Sequence, residues 1–107
     1  GGLALSKDRS TGSQMLDLGF GLVTDVNGAP FPNLIVQAVH QEHGRLGPID
    51  NSGTVPIEVL LVGERVRVLP NHACMTAAAY ERYAVVDGTE MGDQQPVVTF
   101  WDRVNGW

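Results

Sequence analysis

The sequence predicts a mainly β domain: a small antiparallel β-barrel or sandwich with one or two short helices. Three observations predict it. The 13 glycines and 6 prolines of the 107 residues are spread along the chain, as short strands joined by turns require. Apolar residues fall in short runs or alternate with polar ones, which is the period of a strand. A single segment, Met75 to Arg82, is alanine-rich enough to read as a helix.

Taken in order, Met15 to Val26 is the first strand region, with Gly19-Phe20-Gly21-Leu22-Val23-Thr24 at its centre. It runs into Asn27-Gly28, the preferred pair of a type I′ hairpin turn, in which both residues take positive φ. Asn33 to Gln41 places Leu34, Val36, Ala38 and His40 on one face and Ile35 and Val39 on the other, so both faces are covered. Asn51-Ser52-Gly53 is a turn. Val55 to Leu61 reads as a strand with Pro56 at its start or on an edge. Glu64 to Leu69 alternates polar and apolar residues, a half-buried strand ended by Pro70. The helix over Met75 to Arg82 takes Thr76 as its N-cap. Ala84 to Val86 is a strand entering an Asp87-Gly88 turn, and Pro96 to Val104 holds the last strand.

Composition narrows the function classes. One domain of this length supports one core. With 43% hydrophobic and 18% charged residues the chain is not disordered by composition. Its 7 Lys+Arg against 12 Asp+Glu give a net charge of −5, which argues against a nucleic-acid module. No run of residues approaches the roughly 18 apolar positions of a membrane span. The single cysteine, Cys74, excludes an internal disulfide framework. With no signal-peptide pattern and no Asn-x-Ser/Thr sequon, a reducing, cytoplasmic location is expected. The opening Gly-Gly-Leu-Ala-Leu-Ser, without Met, points to a domain cut from a longer polypeptide.

The sharpest chemical feature is Leu69-Pro70-Asn71-His72-Ala73-Cys74-Met75-Thr76. His72 and Cys74 are two apart, and in extended backbone residues i and i+2 project to one side. An imidazole nitrogen and a thiolate suit Zn²⁺, and two protein ligands leave positions open for substrate. Spacing leaves two other readings open. Cys74 is then a small buried hydrophobe beside a loop histidine, or it is a nucleophile with His72 as its base, although no oxyanion-hole glycine motif flanks it. His40-Gln41-Glu42-His43-Gly44 offers His43 and Glu42 as a base or further ligand. Equally, His43 is a structural hydrogen-bonding residue and Gly44 supplies a positive φ. Lys7, the one lysine, sits in a charged loop with no pocket to lower an amine pKa, and Ser10-Thr11-Gly12-Ser13 reads as a turn.

Several of these segments, in this order, resemble one family. Gly1-Gly2-Leu3-Ala4-Leu5-Ser6-Lys7-Asp8, Gln41-Glu42-His43-Gly44, the Pro-Asn-His-x-Cys-x-Thr of residues 70–76, Val85-Val86-Asp87-Gly88 and the closing Trp101 to Trp107 are similar to the C-terminal domain of D-serine dehydratase-like and D-threonine aldolase-like enzymes. These are fold-type III pyridoxal phosphate proteins related to alanine racemase. The resemblance implies that residues 1–107 form a single C-terminal β-domain, and that the N-terminal (β/α)₈ barrel, with the Schiff-base lysine and phosphate site, lies elsewhere in the full protein. It implies His72 and Cys74 as ligands of zinc or another divalent metal, with Glu42 and His43 lining or bracing the same site. Aspartate commonly replaces the cysteine in D-threonine aldolases, so Cys74 tilts the chain toward dehydratases.

The implied partners are a D-β-hydroxy amino acid such as D-serine or D-threonine, the barrel, and a second subunit in a homodimer. Neither nucleic acid nor membrane is among them. Without the barrel the chain is expected to be inactive and to expose apolar surface. A non-catalytic binding module of the same fold, or an amino-acid racemase of the same superfamily, is the alternative.

Overall fold

A computed structural model describes residues 2, 5, 8, 9, 16–50, 53–88 and 95–104. The described residues form six strands, β1 (Gly21–Thr24), β2 (Pro30–Val39), β3 (Gly44–Pro48), β4 (Arg67–Pro70), β5 (Arg82–Val86) and β6 (Val97–Asp102). One α-helix, α1 (Ala73–Ala78), lies between β4 and β5, and a 3₁₀ turn covers Ile57–Val59. The strands pair into a four-stranded sheet of order β3-β2-β1-β4 and a two-stranded sheet β5-β6, with every ladder antiparallel. The mainly β expectation therefore holds.

The core sits on the two central strands. Val23 of β1 and Leu34 and Val36 of β2 form one buried cluster, with Phe20, Phe31, Val39, Val66 and Val68 packed around it. Ile35, on the other face of β2, is also buried. The consecutive Leu34-Ile35-Val36 is covered on both faces, as its apolar run predicts.

Local chemistry moved several boundaries. Val55 to Leu61 is not a strand. Pro56 lacks an N–H for a ladder, and the donors around it bond within the segment: Ile57 N–H to the Val55 carbonyl at 2.8 Å and Leu60 N–H to the Ile57 carbonyl at 3.0 Å. The β1–β2 turn is not type I′. Gly28 has φ 90°, but Asn27 does not have positive φ. The Asp25 carboxylate holds the turn instead, accepting Asn27 N–H at 2.8 Å and Ala29 N–H at 2.9 Å. β3 is an unexpected strand. Its Gly-Arg-Leu-Gly-Pro lacks β-branched residues, and Gly47 is buried because the Gln37 side chain lies where a Cβ would stand.

The helix begins at Ala73 and ends at Ala78, with His72 as the N-cap, not Thr76. Thr76 lies inside it, its hydroxyl donating to the His72 carbonyl at 3.1 Å. Arg82 has passed into β5. Lys7, Ser10–Ser13, Asn51-Ser52 and the closing Asn105-Gly106-Trp107 lie outside the described residues.

Candidate metal centre

The β4–α1 junction is built on the core. β4 runs beside β1 in the register Thr24↔Arg67, Val23↔Val68, Leu22↔Leu69 and Gly21↔Pro70. The chain leaves that ladder at Asn71, whose side-chain amide donates to the Gly19 carbonyl. Gly19 is tightly placed: φ is 61°, and a Cβ there would collide with the Val36 carbonyl oxygen. The next residue, His72, is still extended (φ −120°, ψ 92°), and α1 starts immediately after it.

This alters how the two expected ligands relate. Cys74 is the second residue of the helix, so the same-side argument from continuous extended backbone does not apply. Cys74 is also a free, exposed thiol, not a small buried hydrophobe. The His72 side chain is half-exposed, and its Nδ1 meets the Asp8 carboxylate, which leaves Nε2 as the ring's other coordinating atom. Among the described residues no three His, Cys, Asp or Glu side chains group to hold a metal ion. An accessible imidazole nitrogen and an accessible thiol fit the donor chemistry of zinc as an incomplete, open pair.

Glu42 and His43 occupy the β2–β3 hairpin. Strand β2 stops at Val39, and His40 N–H donates to the His43 carbonyl at 2.8 Å. The two imidazoles stack, with centroids 4.6 Å apart and planes 20° from parallel. Gly44 opens β3 without a positive φ. Because β2 and β4 both run antiparallel to β1, this hairpin and the β4–α1 junction lie at the same end of the sheet. They do not meet in one ligand group. A separate cleft of about 320 Å³, lined by Arg9, Asp17, Ile35, Gln37, Arg45, Pro48 and Ile49, includes none of the expected site residues.

Two partners of the junction, Asp8 and Asn71, were not singled out as functional from the sequence. Asn71 stands inside the Pro-Asn-His-x-Cys motif, and that position was its one available signal. Asp8 lies 64 residues from His72, and no local pattern reports that contact.

Comparison with known proteins groups this antiparallel β-domain with the C-terminal domain of fold-type III, alanine-racemase-like pyridoxal phosphate enzymes. A family model described as a putative serine dehydratase domain matches residues 1–86, and the chain belongs to that family. The chain is 36% identical over 110 residues to D-threo-3-hydroxyaspartate dehydratase of Delftia sp. (strain HT23), covering 100% of this chain and 27% of that protein. The solved structure of that enzyme superposes with a TM-score of 0.78 over 100% of this chain and 27% of that one. A D-serine dehydratase of Schizosaccharomyces pombe is 30% identical over 77 residues, 72% of this chain and 16% of that protein. The chain thus spans about a quarter of the length of the Delftia enzyme and less of the yeast one.

Two variants of a D-threo-3-hydroxyaspartate dehydratase are also similar structures. One replaces a cysteine by alanine and is a metal-free form (TM-score 0.78, 34% identity, 27% of that chain). The other replaces a histidine two positions earlier by alanine (TM-score 0.79, 35% identity, 26% of that chain). Each is covered over 100% of this chain. Among the described residues, no helix is long and apolar enough to cross a membrane.

Proposed function

We propose that this chain is the metal-carrying β-domain of a pyridoxal phosphate-dependent lyase that dehydrates D-β-hydroxy amino acids, with His72 and Cys74 as ligands of a divalent cation. The observation that carries the reading is the likeness, over the whole of this chain, to about a quarter of a dehydratase with a metal-free cysteine variant, a histidine two residues before that cysteine, and the same pair at the same spacing here. Zinc is the metal that imidazole and thiolate donors favour.

A metal held by His72 and Cys74 would supply Lewis-acid polarisation of substrate oxygens, and pyridoxal phosphate held by the barrel would supply an electron sink. The chain's own residues do the placing. Asn71 ties the junction to β1, so His72 and Cys74 are presented from the rigid end of the core sheet. Two protein ligands leave coordination positions for substrate oxygens. Glu42 and His43, at the same end of the sheet, line the approach to the site. The cofactor lysine and phosphate site belong to an N-terminal barrel, and the exposed Val98, Phe100 and Trp101 of β6 suit packing against that remainder or a second subunit.

The test is the metal content of the full-length protein by elemental analysis, with D-serine and D-threonine turnover assayed alongside. Stoichiometric zinc in the wild type, lost in both His72→Ala and Cys74→Ala together with keto-acid formation from D-serine, is the expected result. Zinc retained in both variants would remove the assignment of these ligands.

A further inference from the structure

Asp8 has no assigned role, yet its carboxylate meets Nδ1 of His72. We propose that Asp8 is a positioning residue for metal binding: it holds His72 in the tautomer with Nδ1 protonated and leaves the Nε2 lone pair for the cation. The inference rests on the ligand assignment above and extends it to a residue outside the His-x-Cys motif.

The chemistry follows from donor and acceptor capacity. An ionised carboxylate only accepts hydrogen bonds, and a neutral imidazole carries one N–H and one lone pair. With Asp8 accepting at Nδ1, the N–H is held there and Nε2 becomes the ligating atom. A carboxylate behind a metal-bound histidine fixes ring orientation and raises ligand basicity.

The structure holds Asp8 in place by contacts on both sides. Upstream, Gly2 N–H donates to the His40 carbonyl at 2.6 Å, and Leu5 packs on the core cluster. Downstream, Arg9 pairs with Asp17 at 3.2 Å, and Asp17 in turn accepts Gly19 N–H at 2.9 Å. The Gly19 carbonyl accepts the Asn71 amide, and Asn71 precedes His72. These contacts close a circuit: Asp8 to His72, back one residue to Asn71, then Gly19, Asp17, Arg9 and Asp8 again.

Stability does not account for the contact. The His72 and Asp8 side chains are 44% and 57% exposed, and exposed pairs contribute little to folding. Nor is Asp8 a third ligand grouped with His72 and Cys74, since no such group forms among the described residues. What remains is its effect on the imidazole.

The experiment compares full-length wild type with Asp8→Ala, Asp8→Asn, Asp8→Glu and His72→Ala. Zinc affinity is read by competition with a chromogenic chelator, cobalt-loaded protein by absorption, and folding by melting temperature. Asp8→Ala should weaken zinc binding by about 10- to 100-fold. Asp8→Asn should fall between it and wild type, because the amide oxygen still accepts but carries no charge. Asp8→Glu should recover part of the loss. Melting temperatures of the metal-free proteins should agree, and the cobalt ligand-field bands should shift while the thiolate charge-transfer band persists. Wild-type zinc affinity in Asp8→Ala, with His72→Ala abolishing binding, overturns the role of Asp8 and leaves the ligands standing. A loss matched by a fall in melting temperature and not rescued by glutamate also overturns it. Wild-type affinity in His72→Ala, or no zinc binding by wild type, overturns both readings.

Discussion

The four-stranded sheet and the β5–β6 hairpin are made by the same rules and end in opposite states. At the centre of β2, Leu34, Ile35 and Val36 are all buried, whereas every residue of β6 is exposed, Trp101 to 63% and Phe100 to 51%. Both regions have antiparallel ladders, each with one register shift (between Val36 and Ala38 in β2–β3 and between Val85 and Val86 in β5–β6), so pairing does not separate them. The difference is what lies on the faces. The sheet has the loop residues Val55, Leu60 and Val66 over its core cluster. The hairpin is tied to its surroundings by Tyr83, whose hydroxyl donates to the Ala77 carbonyl at 3.2 Å, and by the Arg67 guanidinium of β4, which donates to the Gln95 side-chain oxygen at 2.8 Å just before β6. A two-stranded ribbon is marginal alone, and adjoining exposed aromatic and aliphatic residues mark an interaction surface. One region thus holds the buried core of the described residues, and the other presents the exposed apolar surface that the proposed contact with a barrel or second subunit would cover.

The largest effect should come from the core side of this contrast. Leu34 is 1% exposed at the centre of the cluster. Leu34→Ala should lower the unfolding free energy of the domain by about 2–5 kcal/mol, read from urea titration. Trp101→Ala in the same assay serves as the opposing measurement and should stay within about 0.5 kcal/mol of wild type. Equal losses in the two variants would show that the hairpin is part of the stability core.

A smaller loss is expected at the seam between the sheet and the β4–α1 junction. Gly19→Ala forces a Cβ onto the Val36 carbonyl at a positive φ. Backbone strain of this kind costs on the order of 1–3 kcal/mol. Because the Gly19 carbonyl also holds Asn71, the variant should weaken zinc binding as well as stability. A stability loss with unchanged zinc affinity would show that the Asn71 contact does not position the junction.

How much of this was legible follows the same division. The apolar run Leu34-Ile35-Val36 announced a strand covered on both faces, because burial there is decided by neighbours in sequence. The Pro-Asn-His-x-Cys-x-Thr spacing announced the candidate site, since the residue types themselves carry its chemistry. Elements decided by distant partners were not legible. β3 is made by its ladder with β2, over which Gln37 lies against Gly47 and donates its amide to the Pro48 carbonyl at 2.8 Å, and no pattern in Gly-Arg-Leu-Gly-Pro reports that pairing. The helix start was misplaced because His72, a poor capper by side chain, occupies the N-cap position with no side-chain hydrogen bond to the helix. The ring is turned instead to Asp8, an assignment that the circuit through Asp17 and Gly19 makes and local propensity does not.

The smallest effect sharpens the comparison most finely. On the hairpin, the Arg82 guanidinium lies 4.6 Å from the centre of the Phe100 ring. Both residues are exposed, so the cation–π contact should contribute about 0.5 kcal/mol in the domain alone. A double-mutant cycle of Arg82→Met and Phe100→Leu isolates that coupling, because it cancels what each substitution costs on its own. If β6 is covered in the full-length protein, water leaves the ring face and the coupling should rise toward about 2 kcal/mol. The same cycle on both proteins therefore reports whether the bare hairpin becomes an interface. Equal couplings would mean that Phe100 stays in water and that the contact lies elsewhere on the exposed apolar surface.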